Sequence, residues 1–290
     1  MMEPELLADY QCQTGEGPLW HPDERRVYWV DIPLGRLFRY DPDTGQHEEV
    51  YKSAEAIGGF TFQEDGSILL FGARGAVSLL RDGAVTPVIP EIPAEADGRF
   101  NDVFAGPHGR VYCGTMPTDA HEGRLYRLDP DGTLTTLLEG VTISNGMGFT
   151  PDRTGFYHTD SMKKTITLFD YDDATGDISN GRIFLDLSDE EGIPDGMTVD
   201  AEGYVWSARW DGGVLVRYAP DGTEVQRVQF PALKVSSAVF GGDDLGDLYV
   251  TTAGGQDKAA NGPGAGALFR LRPGVRGLPE FRSAIRPPQG

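Results

Sequence analysis

The stretch Gly15-Glu-Gly-Pro-Leu-Trp20, continued by Arg26-Val-Tyr-Trp-Val-Asp31 and Gly35-Arg-Leu-Phe-Arg-Tyr40, decides how the chain is read. It runs from a small-polar and apolar start through a turn into one strand, then another, and ends at Asp41-Pro-Asp43. Apolar and polar residues alternate over short runs, which is the period of a half-buried strand and not of a helix. Asp-Pro-Asp reads as a tight turn, because proline presets φ and aspartate bonds back to its own backbone.

The same order of pieces returns along the chain. The strand after the first turn recurs as Arg110-Val-Tyr-Cys-Gly-Thr-Met116, Gly155-Phe-Tyr-His-Thr-Asp160, Gly203-Tyr-Val-Trp-Ser-Ala208 and Asp247-Leu-Tyr-Val-Thr-Thr252. The next strand recurs as Gly123-Arg-Leu-Tyr-Arg-Leu128, Gly213-Val-Leu-Val-Arg-Tyr218 and Gly266-Ala-Leu-Phe-Arg-Leu271. Aligned on the first strand, the repeats start at Glu16, Gly58, Asn101, Asn145, Asp195 and Ser236, spaced by 42, 43, 44, 50 and 41 residues. Six units of about four strands predict an all-β, six-bladed β-propeller, one domain over residues 1–290. The segment Glu5–Tyr10 is expected to add a strand to the last blade and so remove a free edge. The tail 283–290, with its two prolines, is expected to fray.

Composition agrees with a turn-rich folded chain. The 290 residues include 39 glycines and 20 prolines, more than the average chain but short of the roughly 25–30% of low-complexity segments. The net charge is −20. No basic stripe is present to displace counterions from phosphate, so nucleic acid is excluded as a partner, and an anionic membrane surface would repel the chain. No stretch approaches the length of a membrane span. Cys12 and Cys113 are too few for a disulfide framework or a cysteine zinc site. The acidic start Met1-Met2-Glu3-Pro4-Glu5 leads into no apolar signal core, so a cytoplasmic location is expected. Nothing in the pattern speaks to oligomeric state.

In a propeller the innermost strands line the central channel, so equivalent repeat positions converge. Four of the six aligned starts, Glu16, Asn101, Asn145 and Asp195, carry a carboxylate or an amide. Taken singly, each reads as a turn former or a cap bonded to its own backbone. Gathered at one phase, they are costly to bury unless something satisfies them. Two carboxylates and an amide oxygen suit a hard divalent cation, with Ca²⁺ expected first and Zn²⁺, Mn²⁺, Mg²⁺ or Fe²⁺ as alternatives. The glycines that follow, Gly17, Gly146 and Gly196, are expected to leave space around the ion.

Other motifs carry less. Asp170–Gly176 lacks the glycine and glutamate positions of a calcium loop and reads as a hairpin turn. Gly262–Gly266 lacks the spacing of a phosphate cradle, and there is no G-x-S-x-G elbow. The loop Gly254–Gly266 is a candidate cover for the channel mouth. The aromatic residues Tyr28, Trp29, Tyr112, Tyr157, Trp206 and Tyr249 share one strand of each blade and read as inter-blade packing.

On these residues the chain resembles the senescence-marker-protein/gluconolactonase/luciferin-regenerating-like family of regucalcin-like sugar lactonases. The likeness rests on Gly15–Trp20, Arg99-Phe-Asn-Asp102, Gly114-Thr-Met116, Ser144-Asn-Gly146, Phe156–Ser161, Ile193-Pro-Asp-Gly-Met197 and Leu248–Ala253, in order over nearly the whole chain. It implies a metal held by Glu16, Asn145 and Asp195. It also implies substrate hydroxyls bound by Arg99 and Asn101, with Asp119 as a further sugar contact; His121, by its closeness to Asp119, is a candidate peripheral contact. The implied activity is divalent-metal-dependent hydrolysis of a small-molecule sugar lactone, such as glucono- or xylonolactone, to the aldonic acid. The metal would polarise the carbonyl and Asp195 would act as general base. The alternatives are a metal-dependent hydrolase of other esters or organophosphates, and a non-catalytic calcium-binding propeller.

Overall fold

The computed structural model describes residues 2–287. Alternating patterns of the kind quoted above fold into six four-stranded antiparallel sheets. The first strand of each repeat is the innermost: Gly15–His21, Ile57–Phe62, Phe100–Ala105, Ser144–Phe149, Ile193–Val199 and Lys234–Gly241. Each touches the inner strand of the next blade, and the last touches the first, so the ring is closed and the fold is a six-bladed β-propeller. Among the described residues helix is confined to two short 3₁₀ turns, Pro93–Glu95 and Pro107–Gly109. No helix among the described residues is long and apolar enough to cross a membrane.

Blade 6 is built from both ends of the chain. Its inner three strands are Lys234–Gly241, Asp247–Ala253 and Ala267–Leu271, and its outer strand is the N-terminal Glu5–Asp9, paired antiparallel with the third. Arg270 reinforces this seam through an ion pair with Glu5.

Between blades the second-strand aromatics pack onto the inner strand of the neighbour. Tyr28 meets Phe62, Tyr112 meets Phe149, and Trp206 meets Phe240, with ring centroids 5.2, 5.8 and 6.2 Å apart. Tyr249 stacks on Trp20 across the junction of blades 6 and 1. Each such pair contributes about 0.5–1.5 kcal/mol beyond its buried area.

Every inner strand shifts register at or beside the aligned position, between Glu16 and Leu19, Ile57 and Gly59, Phe100 and Val103, Asn145 and Met147, Pro194 and Met197, and Val235 and Ser237. Such bulges bend the strand and re-aim a side chain, which is how one repeat phase becomes one site. The glycines after the bulge serve a different purpose from the one expected. A Cβ on Gly146 would lie 2.5 Å from Met197 Cγ and 2.7 Å from the Asp195 carbonyl oxygen, and one on Gly196 would lie 2.2 Å from Ser237 Oγ. At these two the space is filled by the adjacent blade and not held open for an ion, whereas at Gly17, with φ +54°, no atom lies within 4 Å of where a Cβ would stand.

The tail also departs from expectation. Ser283 and Ile285 are buried. The Ser283 N–H donates to the Phe62 carbonyl, and its own carbonyl accepts from Glu64. The buried Gln63 side chain donates to the Ile285 carbonyl at 2.7 Å and accepts from its N–H at 3.0 Å. The Ala284 and Arg286 N–H groups donate to the Gly109 and Pro130 carbonyls, so residues 283–286 are sewn to blades 2 and 3 instead of frayed; residues 288–290 of the expected tail lie outside the described residues.

The segment after Leu271 crosses the end of the ring reached by the C-termini of the inner strands, bridging to Asp200 and Gln63. There Glu280 and Asp102 line a cavity of about 40 Å³, and burial pushes the Glu280 carboxyl up to about 7. A carboxyl raised on folding contributes stability below its ordinary pKa and loses it as pH rises through the folded value. Glu280→Gln should therefore melt a few degrees above wild type at pH 8 and match it at pH 5, as read by thermal unfolding at both pH values.

Candidate functional site

At the other end of the inner strands, their N-terminal residues open into a cavity of about 370 Å³. Its polar floor is Glu16, Arg99, Asn101, Asn145, Ser161 and Asp195. The structure thus brings together five of the six residues singled out in the sequence, drawn from blades 1, 3, 4 and 5. Glu16 and Asp195 are only 3% and 6% exposed, so whatever they bind must replace water for both.

The floor is tied by a hydrogen-bond relay with a single direction. Arg99 Nη1 donates to Asn101 Oδ1 at 2.8 Å, and Asn101 Nδ2 donates to Asn145 Oδ1 at 2.6 Å. Asn145 Nδ2 donates to Ser161 Oγ at 2.7 Å, and Ser161 donates to the Pro194 carbonyl at 2.6 Å. Pro194 precedes Asp195, so the relay runs from blade 3 through blade 4 to the backbone carrying the blade 5 carboxylate. The Asn145 amide oxygen is left with a second lone pair.

The carboxylates make the site's electrostatics unusual. Glu16 and Asp195 are close enough to influence each other's ionisation, and the Gly17 N–H donates to Glu16 Oε2 at 3.0 Å. Both carboxyls are held well above the usual carboxylate range. Burial is the first cause for each; the charge of Asp195, then of Asp102, adds to it for Glu16, and that of Asp102 adds to it for Asp195. Arg99 is the cation that faces Glu16, Asp102 and Asp195, and its guanidinium is itself pulled below its ordinary value by burial. Buried negative charge in excess of its cation is the donor chemistry that a hard divalent ion satisfies. Among the described residues no three His, Cys, Asp or Glu side chains gather as a metal centre; the candidate set is two carboxylates and an amide.

The walls are apolar: Ile32, Met116, Ile143, Met162, Ile193 and Trp210. Asp119 is absent from the lining and exposed. The Thr118 N–H donates to the His121 carbonyl, and Thr118 Oγ1 accepts from the Ala120 and His121 N–H groups, closing residues 118–121 into a turn outside the cavity. His121 stays with that turn, its Nδ1 2.7 Å from the Glu122 carbonyl oxygen. No residue of the loop Gly254–Gly266 lines the cavity either. That loop is fastened to Cys12, Gln13 and Leu233 through backbone hydrogen bonds. Asp170–Gly176 is a hairpin turn, with Asp172 Oδ1 accepting from the Ala174 and Thr175 N–H groups.

Sequence reasoning missed Ser161 and Trp210. Ser161 had a usable signal, a small polar residue directly after the strand Gly155–Asp160. Trp210 had none in the repeat phase, because it ends a second strand instead of starting an inner one.

A six-bladed propeller with buried carboxylates and amides converging at one channel mouth defines the class of ring scaffolds that house a small-molecule or metal site on the axis. Within it, the chain belongs to the SMP-30/Gluconolactonase/LRE-like family, whose pattern matches residues 14–254. It is 51% identical over 289 residues to the pentonolactonase XacC of Haloferax volcanii, covering 97% of this chain and 98% of that one. Its fold is similar to that of a luciferin-regenerating enzyme (TM-score 0.91, 27% identity, 98% and 100% of the two chains covered). It is likewise similar to regucalcin, a calcium-binding protein of Agrobacterium tumefaciens (TM-score 0.89, 27% identity, 97% of both chains covered).

The relay makes Ser161 testable by itself. Ser161→Ala leaves the buried Pro194 carbonyl and an Asn145 N–H without their partner, and unfolding in denaturant should register a loss of about 1–3 kcal/mol.

Proposed function

We propose that this chain hydrolyses a sugar lactone to the corresponding aldonic acid at the cavity floored by Glu16, Asn145 and Asp195. The observation that carries the reading is the convergence of these three groups, buried and short of positive charge, beside the hydrogen-bonding pair Arg99 and Asn101. The activity of the pentonolactonase, to which this chain is similar over almost its full length, supports the same class. The enzyme class is carboxylic ester hydrolase, and its substrate is a small polyhydroxylated ring.

Glu16, Asn145 and Asp195 are the residues that would hold a divalent cation, Ca²⁺ first among the candidates. When bound, such an ion supplies Lewis acidity for the lactone carbonyl. The chain's own residues do the rest. Arg99 and Asn101 hold ring hydroxyls, and the Arg99 guanidinium lies where it can balance charge developing on the carbonyl oxygen. Asp195 in its ionised form, which positive charge at the floor favours against the effect of burial, accepts a proton from the attacking water as the water oxygen bonds to the carbonyl carbon. When the ring C–O bond breaks, that proton passes to the departing ring oxygen, leaving a free hydroxyl and a carboxylic acid. Asp119, exposed outside the cavity, has no part in this reading. The two buried free thiols, Cys12 and Cys113, suit a reducing, cytoplasmic compartment.

The apolar walls favour a second reading, hydrolysis of other esters with an apolar group; Arg99 and Asn101 on the floor favour the sugar. One assay separates these readings and a purely calcium-binding role. The chelator-stripped protein is given aldonolactones and an aryl ester with a pH indicator, and each of Ca²⁺, Zn²⁺, Mn²⁺, Mg²⁺ and Fe²⁺ is restored in turn. Lactone hydrolysis is expected to return with a cation. Asp195→Asn should lower kcat by about 10²–10⁴-fold, and Glu16→Gln should raise the cation concentration needed. Near wild-type rates in both variants would remove the proposed site.

A further inference from the structure

We propose that Trp210 selects the substrate ring at this site by presenting an aromatic surface to the C–H face of the lactone; the inference rests on the sugar-lactone reading above. Trp210 ends the second strand of blade 5, Val205–Trp210, and pairs directly across the sheet with Ile193. Ile193 stands two residues before Asp195, so this register puts the indole on the wall adjoining the carboxylate assigned as base. It is the one aromatic side chain among the residues that line the cavity.

The other tryptophans have different work. Trp20, Trp29 and Trp206 are buried among core residues, Trp29 and Trp206 almost completely, whereas Trp210 is partly exposed. Its ring is also held. Lys234 Nζ, from the inner strand of blade 6, lies 4.7 Å from the ring centroid and ion-pairs with Asp211, the residue that follows Trp210. A cation over the ring and a salt bridge to the next residue fix the indole plane from two blades. Lys234 is thus a positioning residue for Trp210.

A sugar lactone carries hydroxyls around its rim and, on its faces, C–H bonds made electropositive by neighbouring oxygens. The floor residues Arg99 and Asn101 can take the rim. An aromatic face, negative at its centre, is the complementary surface for the C–H groups. A ring held only at its hydroxyls can still pivot; a flat wall beside Asp195 removes that freedom and aligns the carbonyl with the base. The wall also limits size. At about 370 Å³ the cavity is at the small end of the roughly 300–1,000 Å³ of small-molecule sites, so the indole takes up space that a larger ring would need.

The test pairs kinetics with binding. Trp210→Ala is expected to raise KM for a pentono-1,4-lactone about 3- to 10-fold with a smaller change in kcat, and to shift preference toward hexonolactones. Trp210→Phe, which keeps an aromatic ring on the wall, should hold KM close to the wild-type value, and Lys234→Gln should fall between. Separately, tryptophan emission is followed while methyl β-xylopyranoside, a ring with no hydrolysable carbonyl, is titrated in. A saturable change in wild type that disappears in Trp210→Phe, whose remaining tryptophans are buried, supports the assignment. An active wild type with unchanged KM and ring preference in Trp210→Ala overturns it while leaving the lactonase reading intact. A wild type inactive on every lactone fails that reading instead. The emission titration then decides Trp210 alone, and an unresponsive wild type overturns the proposal.

Discussion

The inner strands of neighbouring blades lie so close that, at the junction of blades 4 and 5, a backbone carbonyl stands where a side chain on residue 146 would have to be. Much of the structure depends on that approach. It requires Gly146, its counterpart at the junction of blades 5 and 6 requires Gly196, and it brings Asn145 near enough to the Pro194 carbonyl for Ser161 to bridge the two. A bulge in each inner strand then turns the residue at the aligned position toward the axis. Narrow ring and convergent polar groups are two results of the same contact.

Convergence has an electrostatic cost. Glu16, Asp102 and Asp195 face one another through Arg99, and burial raises all three carboxyls, Asp102 to about 7. A chain selected for stability alone would put apolar residues there, since unpaired buried charge is among the most destabilising features a core can carry. Its presence at the mouth of a cavity is the pattern expected where function overrides local stability. The relay from Arg99 to the Pro194 carbonyl shows how the floor tolerates this: each polar group has a partner, and each bond has one allowed donor.

The blades were legible because the period lies in the residues themselves, and Glu16, Asn101, Asn145 and Asp195 were legible because they share one phase of it. Arg99, two residues before Asn101, came from the family's motif. What lay outside that phase was harder to read. Ser161 and Trp210 reach the cavity from strand ends one strand further out, where the repeat carries aromatics with quite different duties. Asp119 looked close in sequence to Met116, which does line the wall, but the turn over residues 118–121 carries it away. The tail looked like an end with two prolines; its order comes from Gln63, more than 200 residues earlier, whose amide brackets Ile285. Glycine beside a polar ligand suggested room for an ion, but at Gly146 and Gly196 the neighbouring blade has taken that room, and it stays open at Gly17 alone of the three.

Blade 6 joins the first strand of the chain to the last three, and this orders events during synthesis. Glu5–Asp9 is made about 260 residues before its partner Ala267–Leu271 and has none until that strand has followed it, so an unpaired strand accompanies the growing chain through the synthesis of five blades. Contacts of such long sequence separation form late and slowly. Blades 1 to 5 can each pair internally as they emerge, but the floor spans blades 1, 3, 4 and 5 and becomes a single surface only when the ring shuts. The chain therefore acquires its chemistry at one moment, at the end, when its beginning and its end meet.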